Sequence, residues 1–209
     1  MVPALKGVLT AKGYETRARI VREAARIVQE RGAGNTSLDE IQRAAGVSAS
    51  QLYHYFADRN TLIRAVVEHQ TGEVLGAQRR ALEDLDGFAA LERWRDMMIA
   101  AQDARDCTGG CPLGSMVGDL AETDPRSRGE LAAAFKAWEA LIADGLRSLQ
   151  ARGVLPERCD TGKLALSLLS SVQGGLILSQ LHRNTDPLRA ALDNEIAHLR
   201  EIAAADTSA

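Results

Sequence analysis

Signals for two short, consecutive helices lie within residues 36–62, and they constrain the fold more than any other feature of this chain. Ser37 followed three residues later by Glu40 is the capping-box pattern that begins a helix. Gly46 can end that helix in the left-handed conformation, and Ser48 can cap the next one. Two short helices joined by a turn that contains glycine predict a helix-turn-helix.

The rest of the chain also favours helices. Apolar residues recur at helical spacing, no segment alternates as a strand does, and aromatic residues make up only 4% of the composition. We therefore predict an all-α protein. After an irregular arm over residues 1–14, the predicted helices cover about residues 16–31, 38–45, 49–56, 59–85, 88–105, 113–122, 126–152, 161–182 and 186–204.

Charge is distributed unevenly along the chain. Residues 1–64 contain ten Lys or Arg and six Asp or Glu, whereas the whole chain carries a net charge of -3. The N-terminal part is therefore basic and the remainder is acidic. A basic region on an acidic protein favours a polyanionic partner such as DNA, and a chance division of surface charge is the alternative.

The second helix of the predicted helix-turn-helix carries side chains suited to reading DNA. Such a helix presents its N-terminal residues to base edges in the major groove. Gln can pair with adenine, Ser with several bases and Ala with the thymine methyl group, while Tyr and His can donate to phosphates. Leu52 and Phe56 are expected to face the core, and Tyr55 suits either role. The outward residues are Ser48, Ala49, Ser50, Gln51, Tyr53 and His54.

The same stretch resembles the TetR family of bacterial repressors over about residues 15–65, in register and without gaps. The resemblance implies nine helices, with a helix-turn-helix DNA-binding domain and its N-terminal arm over residues 1–60. A helical ligand-binding and dimerisation domain would occupy residues 61–209. It also implies a repressor that binds a palindromic operator as a homodimer and is released by a small molecule. The matching residues are Thr36-Ser37, Ile41, Ala44-Ala45-Gly46-Val47-Ser48, Leu52-Tyr53-His54-Tyr55-Phe56, Arg59 and Leu62.

The resemblance further implies DNA contacts for individual residues. Thr36 and Ser37 would hydrogen-bond one phosphate, and Arg59 would hold another. The chain departs from the family twice, because Ala49-Ser50-Gln51 stands where many members have a Lys and a Gly, and Arg59 replaces a common Lys. The second change turns a point charge into a planar fork. The implied set is Thr36, Ser37, Ser48, Ala49, Ser50, Gln51, Tyr53, His54, Tyr55 and Arg59.

Residues 161–203 are predicted to form the dimer interface. Small residues recur every three or four positions in the helix that begins at Thr161, so another helix can approach closely. Two such helices from each subunit would form a four-helix bundle with two-fold symmetry, and packing within one chain is the alternative. The predicted interface residues are Leu164, Ser167, Leu168, Ser171, Val172, Gly175, Leu176, Leu188, Leu192, Ile196 and Leu199.

A ligand site is expected between helices of the C-terminal part, where one further resemblance is found. Gly110-Cys111-Pro112-Leu113-Gly114, followed by Leu120-Ala121-Glu122, is similar to the LmrA/YxaF-type branch of the TetR family. Methionine and aromatic side chains suit a permissive pocket for an apolar or aromatic ligand, although each residue alone is typical of a core. The candidates are Trp94, Met97, Met98, Met116, Phe135, Trp138, Leu141, Ile142, Leu169 and Gln173.

Cys107 and Cys111 support an alternative function. Four residues apart around two glycines, they can close a disulfide or react with an electrophile, which would make the chain a thiol-based sensor with the same DNA-binding region. Such reactivity requires a lowered thiol pKa, and the nearby carboxylates of Asp103 and Asp106 oppose it.

Other classes of function find no support in the sequence. There is no Ser/His/Asp arrangement, nucleotide-binding glycine motif or cluster at metal-ligand spacing, so we predict no enzyme activity, no cofactor and no metal. Serines and glycines interrupt the longest apolar run, Leu164 to Leu181, and no signal peptide is evident. We therefore expect a cytoplasmic protein without a membrane partner.

Overall fold

The computed structural model describes residues 9–207, which form nine α-helices and no strand. The predicted all-α class is therefore confirmed. The helices are α1 (Ala11–Arg31), α2 (Leu38–Ala45), α3 (Ala49–Tyr55), α4 (Arg59–Leu82), α5 (Phe88–Asp103), α6 (Gly114–Leu120), α7 (Pro125–Ala151), α8 (Thr161–His182) and α9 (Asp186–Thr207).

The first helix begins earlier than the sequence indicated. Thr10 is its N-cap, and the hydroxyl oxygen of Thr10 accepts a hydrogen bond from the Gly13 N–H at 3.2 Å. The predicted irregular arm is thus wrong for residues 11–14, and residues 1–8 lie outside the described residues. The first buried side chain of α1 is Ile20, so its early turns carry no apolar period that would reveal a helix.

The first three helices pack around a small apolar core. Ile20 of α1, Ile41 of α2 and Leu52 of α3 are buried there, together with Phe56. The guanidinium of Arg17 lies over the Phe56 ring, 5.2 Å from its centroid, a distance at which a cation is attracted by the ring face. The prediction that Phe56 faces the core is therefore confirmed.

Helix α4 connects this small domain to the rest of the chain, because it packs against α1 on one side and against α7 on the other. Leu62, Ile63 and Val66 are buried along it. We call α1–α3 the head and α5–α9 the body. The core runs through α4 from one to the other.

By length and composition alone, helix α8 is long and apolar enough to cross a membrane. The expectation that no apolar run is long enough to do so is therefore corrected. In this fold α8 packs against α7 and α9. Ala165, Leu168 and Val172 are buried there, so part of its apolar surface belongs to the protein core.

The close approach expected of the small residues in α8 occurs within one chain. A Cβ added to Gly175 would lie 2.8 Å from the Cα of Leu188 in α9. The Ser179 hydroxyl accepts a hydrogen bond from the Leu188 N–H at 3.3 Å. Eight of the predicted interface residues are already buried within one chain. They are Leu168, Val172, Gly175, Leu176, Leu188, Leu192, Ile196 and Leu199.

The other predicted interface residues are only partly used inside the chain. Ser167 and Ser171 both donate to the Glu195 carboxylate of α9, at 2.9 and 2.6 Å. Leu164 is half-buried. The opposite side of α8 carries the exposed apolar stripe, in which Leu166, Ile177, Leu178 and Leu181 are 53%, 65%, 47% and 70% exposed.

Replacement of Gly175 by Ala should destabilise the packing of α8 against α9. The new Cβ would press on the backbone of Leu188, which cannot rotate away as a side chain can. We expect a loss of about 1–3 kcal/mol in the free energy of unfolding, measured by urea denaturation. Gly129→Ala in α7 is the control, because nothing lies within 4 Å of its added Cβ. Equal losses for both variants would contradict the close approach.

Candidate nucleic-acid interface

Helices α2 and α3 are joined by a tight turn at Gly46. This residue takes the left-handed conformation, with φ 60° and ψ 43°, which glycine adopts without steric cost. Its N–H donates to the Arg43 carbonyl at 3.2 Å, and the Val47 N–H donates to the Gln42 carbonyl at 3.2 Å. The carbonyls at the end of α2 are thereby satisfied, and the turn fixes the direction in which α3 leaves.

A capping box also begins α3, and it uses a residue that we expected to read bases. The Ser48 hydroxyl accepts from the Gln51 N–H at 3.2 Å, and the Gln51 side-chain oxygen accepts from the Ser48 N–H at 2.9 Å. A bidentate pair with adenine needs that same amide oxygen. In this conformation Gln51 therefore holds the start of α3 instead of offering both of its polar groups to a base.

The outer face of α3 is open. Ala49, Ser50 and His54 are exposed, and Tyr53 is 56% exposed. Tyr55 is half-buried and packs against the head core, with its ring centroid 5.0 Å from that of His54 in an edge-on arrangement. Small and hydrogen-bonding side chains thus lie on a face that no part of the described chain covers.

Thr36 is buried, and Arg59 is half-buried and hydrogen-bonded to the backbone. The Thr36 side chain is 4% exposed, and its hydroxyl donates to the Gly32 carbonyl at 2.8 Å. The Arg59 guanidinium donates to the backbone carbonyls of Thr36, at 3.4 Å, and Ala33. These bonds tie the first residue of α4 to the segment between α1 and α2.

Ser37 is exposed and caps α2. Its hydroxyl accepts from the Glu40 N–H at 3.3 Å, while the Glu40 carboxylate accepts from the Ser37 N–H at 3.1 Å. That backbone N–H, followed by the Ser37 hydroxyl, lowers the pKa of Glu40. Glu40 also forms an ion pair with Arg31 of α1 at 2.6 Å, so the start of α2 is held against the end of α1.

A residue of the body also binds the segment between α1 and α2. The Asp119 carboxylate of α6 accepts a hydrogen bond from the Gly34 N–H at 3.1 Å. Gly32 has φ 84°, and a Cβ added there would lie 2.8 Å from the Asp119 carboxylate. Sequence analysis missed Asp119, because nothing along the chain links residues 85 positions apart.

Arg43 was not among the DNA contacts that the sequence predicted. Its side chain is exposed on α2, where its Nε donates to the Asp39 carbonyl at 3.3 Å and leaves its remaining N–H groups open. The first helix of a helix-turn-helix crosses the DNA backbone. Arg43 is thus a candidate for a phosphate contact, and its charge next to the predicted turn was the available signal.

The predicted ligand residues lie together in the body core. A buried glutamine that we did not select, Gln78 of α4, lies beside two of them. The Trp94 N–H donates to the Gln78 side-chain oxygen at 2.7 Å, and the Gln78 amide reaches the Met98 sulfur at 3.1 Å. Trp94, Met98, Met116, Trp138, Ile142 and Leu169 are buried, whereas Met97, Phe135, Leu141 and Gln173 are half-buried.

Three buried side-chain polar atoms of the body have no hydrogen-bond partner among the described residues. They are the indole nitrogen of Trp138 in α7, the side-chain oxygen of Gln102 in α5 and the side-chain nitrogen of Gln173 in α8. An unpaired buried donor or acceptor costs free energy, and a bound ligand or water is a common reason for one in a native protein. The body, which we expected to offer an apolar site, therefore also contains unpaired polar groups.

The environment of the cysteines does not support the thiol-sensor alternative. Cys107 and Cys111 are buried free thiols. Burial raises the pKa of the Cys107 thiol, and the nearby Asp103 adds to the effect. Burial also raises the pKa of Cys111, against the opposing N–H groups of Gly114 and Leu113. In the described part of the chain, no three His, Cys, Asp or Glu side chains gather as metal ligands would.

Two family profiles match the chain. The profile of bacterial regulatory proteins of the TetR family covers residues 20–66. The profile of the C-terminal domain of LmrA/YxaF-like transcriptional regulators covers residues 88–194, more than half of the chain. The chain belongs to the TetR family. It is therefore a DNA-binding transcriptional regulator, and the predicted LmrA/YxaF-like branch is confirmed.

Individual proteins agree with the TetR assignment. An uncharacterised helix-turn-helix transcriptional regulator of Mycobacterium tuberculosis is 27% identical over 181 residues, covering 82% of this chain and 88% of that protein. The regulator YxaF of Bacillus subtilis is 25% identical over 182 residues, covering 86% and 92%. A TetR regulatory protein from Rhodobacter sphaeroides has the same fold, with a TM-score of 0.81 at 23% identity over 88% of this chain and 98% of that one.

Removal of the cap of α3 should destabilise the head of this TetR-family regulator. We expect Ser48→Ala to lower the free energy of unfolding by about 0.5–2 kcal/mol, because the Gln51 N–H loses its acceptor. Ser50→Ala is the control, since the Ser50 hydroxyl contacts only that of Ser48, at 3.3 Å. It should change stability by less than about 0.5 kcal/mol. If the two variants were equally stable in thermal denaturation, the capping box would not hold α3.

Proposed function

We propose that this TetR-family regulator is a repressor that binds a palindromic operator as a homodimer and is released by a small molecule. The observation that carries the proposal is the open face of α3, whose small and hydrogen-bonding side chains follow a rigid, doubly capped turn. A helix presented in this way suits the major groove. Repression itself is what the resemblance to the family implies.

The contacts divide into three roles. Ala49, Ser50, Tyr53 and His54 face the groove, and Arg43 with the start of α2 lies along the phosphates. Ser37, Ser48 and Gln51 set the directions of the two helices. Thr36 and Arg59 brace the head from inside, in place of the phosphate contacts first expected of them, and Tyr55 packs under His54.

A second copy of this chain is the proposed occupant of the exposed apolar stripe on α8. Ile177 and Leu181 are the most exposed large apolar residues described in the body. Contact between the two stripes would remove both from water, at roughly 25 cal/mol for each Å² of apolar surface. A two-fold dimer also provides two heads, which must lie ~34–36 Å apart to enter successive major grooves.

The effector is proposed to bind in the body core, among Gln102, Trp138 and Gln173. Their unpaired atoms, one acceptor and two donors, suit a ligand with one donor and two acceptors on an otherwise apolar frame. Its binding would favour the body conformation in which the heads are misplaced for the operator. Helix α4, with Arg59, and helix α6, with Asp119, are the routes to the head. The division at residue 60 and a cytoplasmic location belong to the same proposal.

Substitution of exposed residues of the head should weaken DNA binding without changing stability. Tyr53→Ala is expected to reduce affinity for a fragment of the promoter beside its own gene by about tenfold, the effect of losing one good contact. Fluorescence anisotropy at low salt measures the affinity. An unchanged affinity would exclude the α3 face as the DNA reader.

Arg43→Gln should reduce the slope of log affinity against log salt by about one, because one phosphate contact is lost. The control is Arg128→Gln, an equally exposed arginine on α7 of the body, which should leave the slope unchanged. A shared slope in wild type and Arg43→Gln would remove Arg43 from the interface.

Charged substitutions in the exposed apolar stripe should separate the subunits. We expect Leu181→Lys to yield monomers in sedimentation equilibrium, because two buried ammonium groups would face each other across the axis. Val117→Lys is the control, since Val117 is an exposed apolar residue on α6 outside the stripe, 37% exposed. A Leu181→Lys dimer as tight as wild type would place the interface elsewhere.

A further inference from the structure

A cleft of about 240 Å³ opens between the head and the body, away from the predicted effector core. Its walls come from α1 and from the connection between α5 and α6. That volume is below the ~300–1,000 Å³ of sites for drug-sized ligands. The lining residues are Arg26, Gln29, Glu30, Arg105, Thr108 and Gly109.

The body wall of the cleft supplies a positive charge without a counter-charge. Arg105 is half-buried, and among the described residues no carboxylate pairs with it. Its Nε donates to the Ala101 carbonyl at 3.1 Å and one Nη donates weakly to the Gly110 carbonyl at 3.4 Å. A guanidinium has five N–H donors, so most of its hydrogen-bonding capacity remains available. Burial lowers the pKa of Arg105.

The head wall supplies a second unsatisfied donor. The side-chain nitrogen of Gln29 in α1 is buried and has no acceptor among the described residues. It packs on the backbone of Gly109, where an added Cβ would lie 2.8 Å from the Gln29 Cγ and 3.3 Å from its amide nitrogen. Only glycine allows this approach, and Gly109 has φ 77°.

Other charges at the cleft are already paired or lie outside it. Arg26 pairs with both Glu30, at 2.9 Å, and Glu23, at 3.2 Å. Asp103 and Asp106 are exposed residues on either side of Arg105 in sequence, and neither lines the cleft. The Thr108 hydroxyl accepts from Arg183 at 3.3 Å and keeps its own hydrogen to donate. The cleft therefore offers several donors, and Arg105 is the cationic side chain of its lining that has no carboxylate partner among the described residues.

We propose that this cleft binds a small carboxylate, held by the Arg105 guanidinium from the body and the Gln29 amide from the head. A planar carboxylate matches the fork of a guanidinium, and its second oxygen can accept from the amide. An anion held by both walls joins α1 to the α5–α6 connection, so it acts on the orientation of the head. The site is separate from the effector core and goes beyond the proposed repressor function.

The test is isothermal titration calorimetry of the full chain with benzoate, and with benzamide as a neutral analogue of the same shape. We expect benzoate to bind and benzamide not to bind. Arg105→Gln should weaken benzoate binding by at least about tenfold, since a charge-assisted bond is lost. Gln29→Glu, which places a negative charge in the cleft, should abolish binding. Arg128→Gln should bind as wild type does.

Three results would overturn the assignment. They are an absence of benzoate binding at millimolar concentrations, equal binding by folded Arg105→Gln, and binding of inorganic phosphate in preference to benzoate. Circular dichroism establishes that each variant is folded, and Gln29→Glu provides an independent arm if Arg105→Gln does not fold. The titration contains no DNA, so its failure would leave the proposed repressor function unaffected.

Discussion

The segment between α1 and α2 is held by hydrogen bonds that come from outside the head. Arg59, at the start of α4, donates to the carbonyls of Ala33 and Thr36. Asp119 of α6 accepts from the Gly34 N–H. Because α2 begins immediately after this segment, its position depends on both of these bonds. The direction of α3 then follows from the turn at Gly46.

The energy of these hydrogen bonds can be compared with the energy of coupling between two sites in an allosteric protein. Hydrogen bonds to charged groups contribute about 1.5–3 kcal/mol, and coupling between two sites in allosteric proteins is typically about 1–3 kcal/mol. Loss of a single bond at the α1–α2 connection is therefore comparable with a full regulatory response. Under the proposed mechanism, a ligand in the body would need only to move α4 or α6 enough to break one of these bonds.

Local signals in the sequence predicted the parts of the molecule that local physics decides. The capping boxes, Gly46 and the helical periods specified the helices, and the residues between Thr36 and Arg59 carried the family resemblance. The start of α1 was misplaced because its first turns are polar. Periodicity predicts that the apolar face of α9 is buried, but it does not show whether that face packs against α8 of the same chain or against a second subunit.

Long-range contacts decided the rest. The role of Arg59 depends on carbonyls 23 and 26 residues earlier, and that of Asp119 on an amide 85 residues away. The sequence predicts a base contact for Gln51, and the fold places its side-chain oxygen in the cap of α3. Gln29 and Arg105 are ordinary residues in the sequence, and only the fold places their unsatisfied donors on the two walls of one cleft.

The α3 face is proposed to read DNA as one of a symmetric pair, and hydroxyl-radical footprinting on the DNA beside its own gene tests this directly. Two related protected patches should appear, with centres about one helical turn, or ~10 base pairs, apart or at a multiple of that distance. A single protected patch, or no protection at low ionic strength, would contradict a dimeric reader.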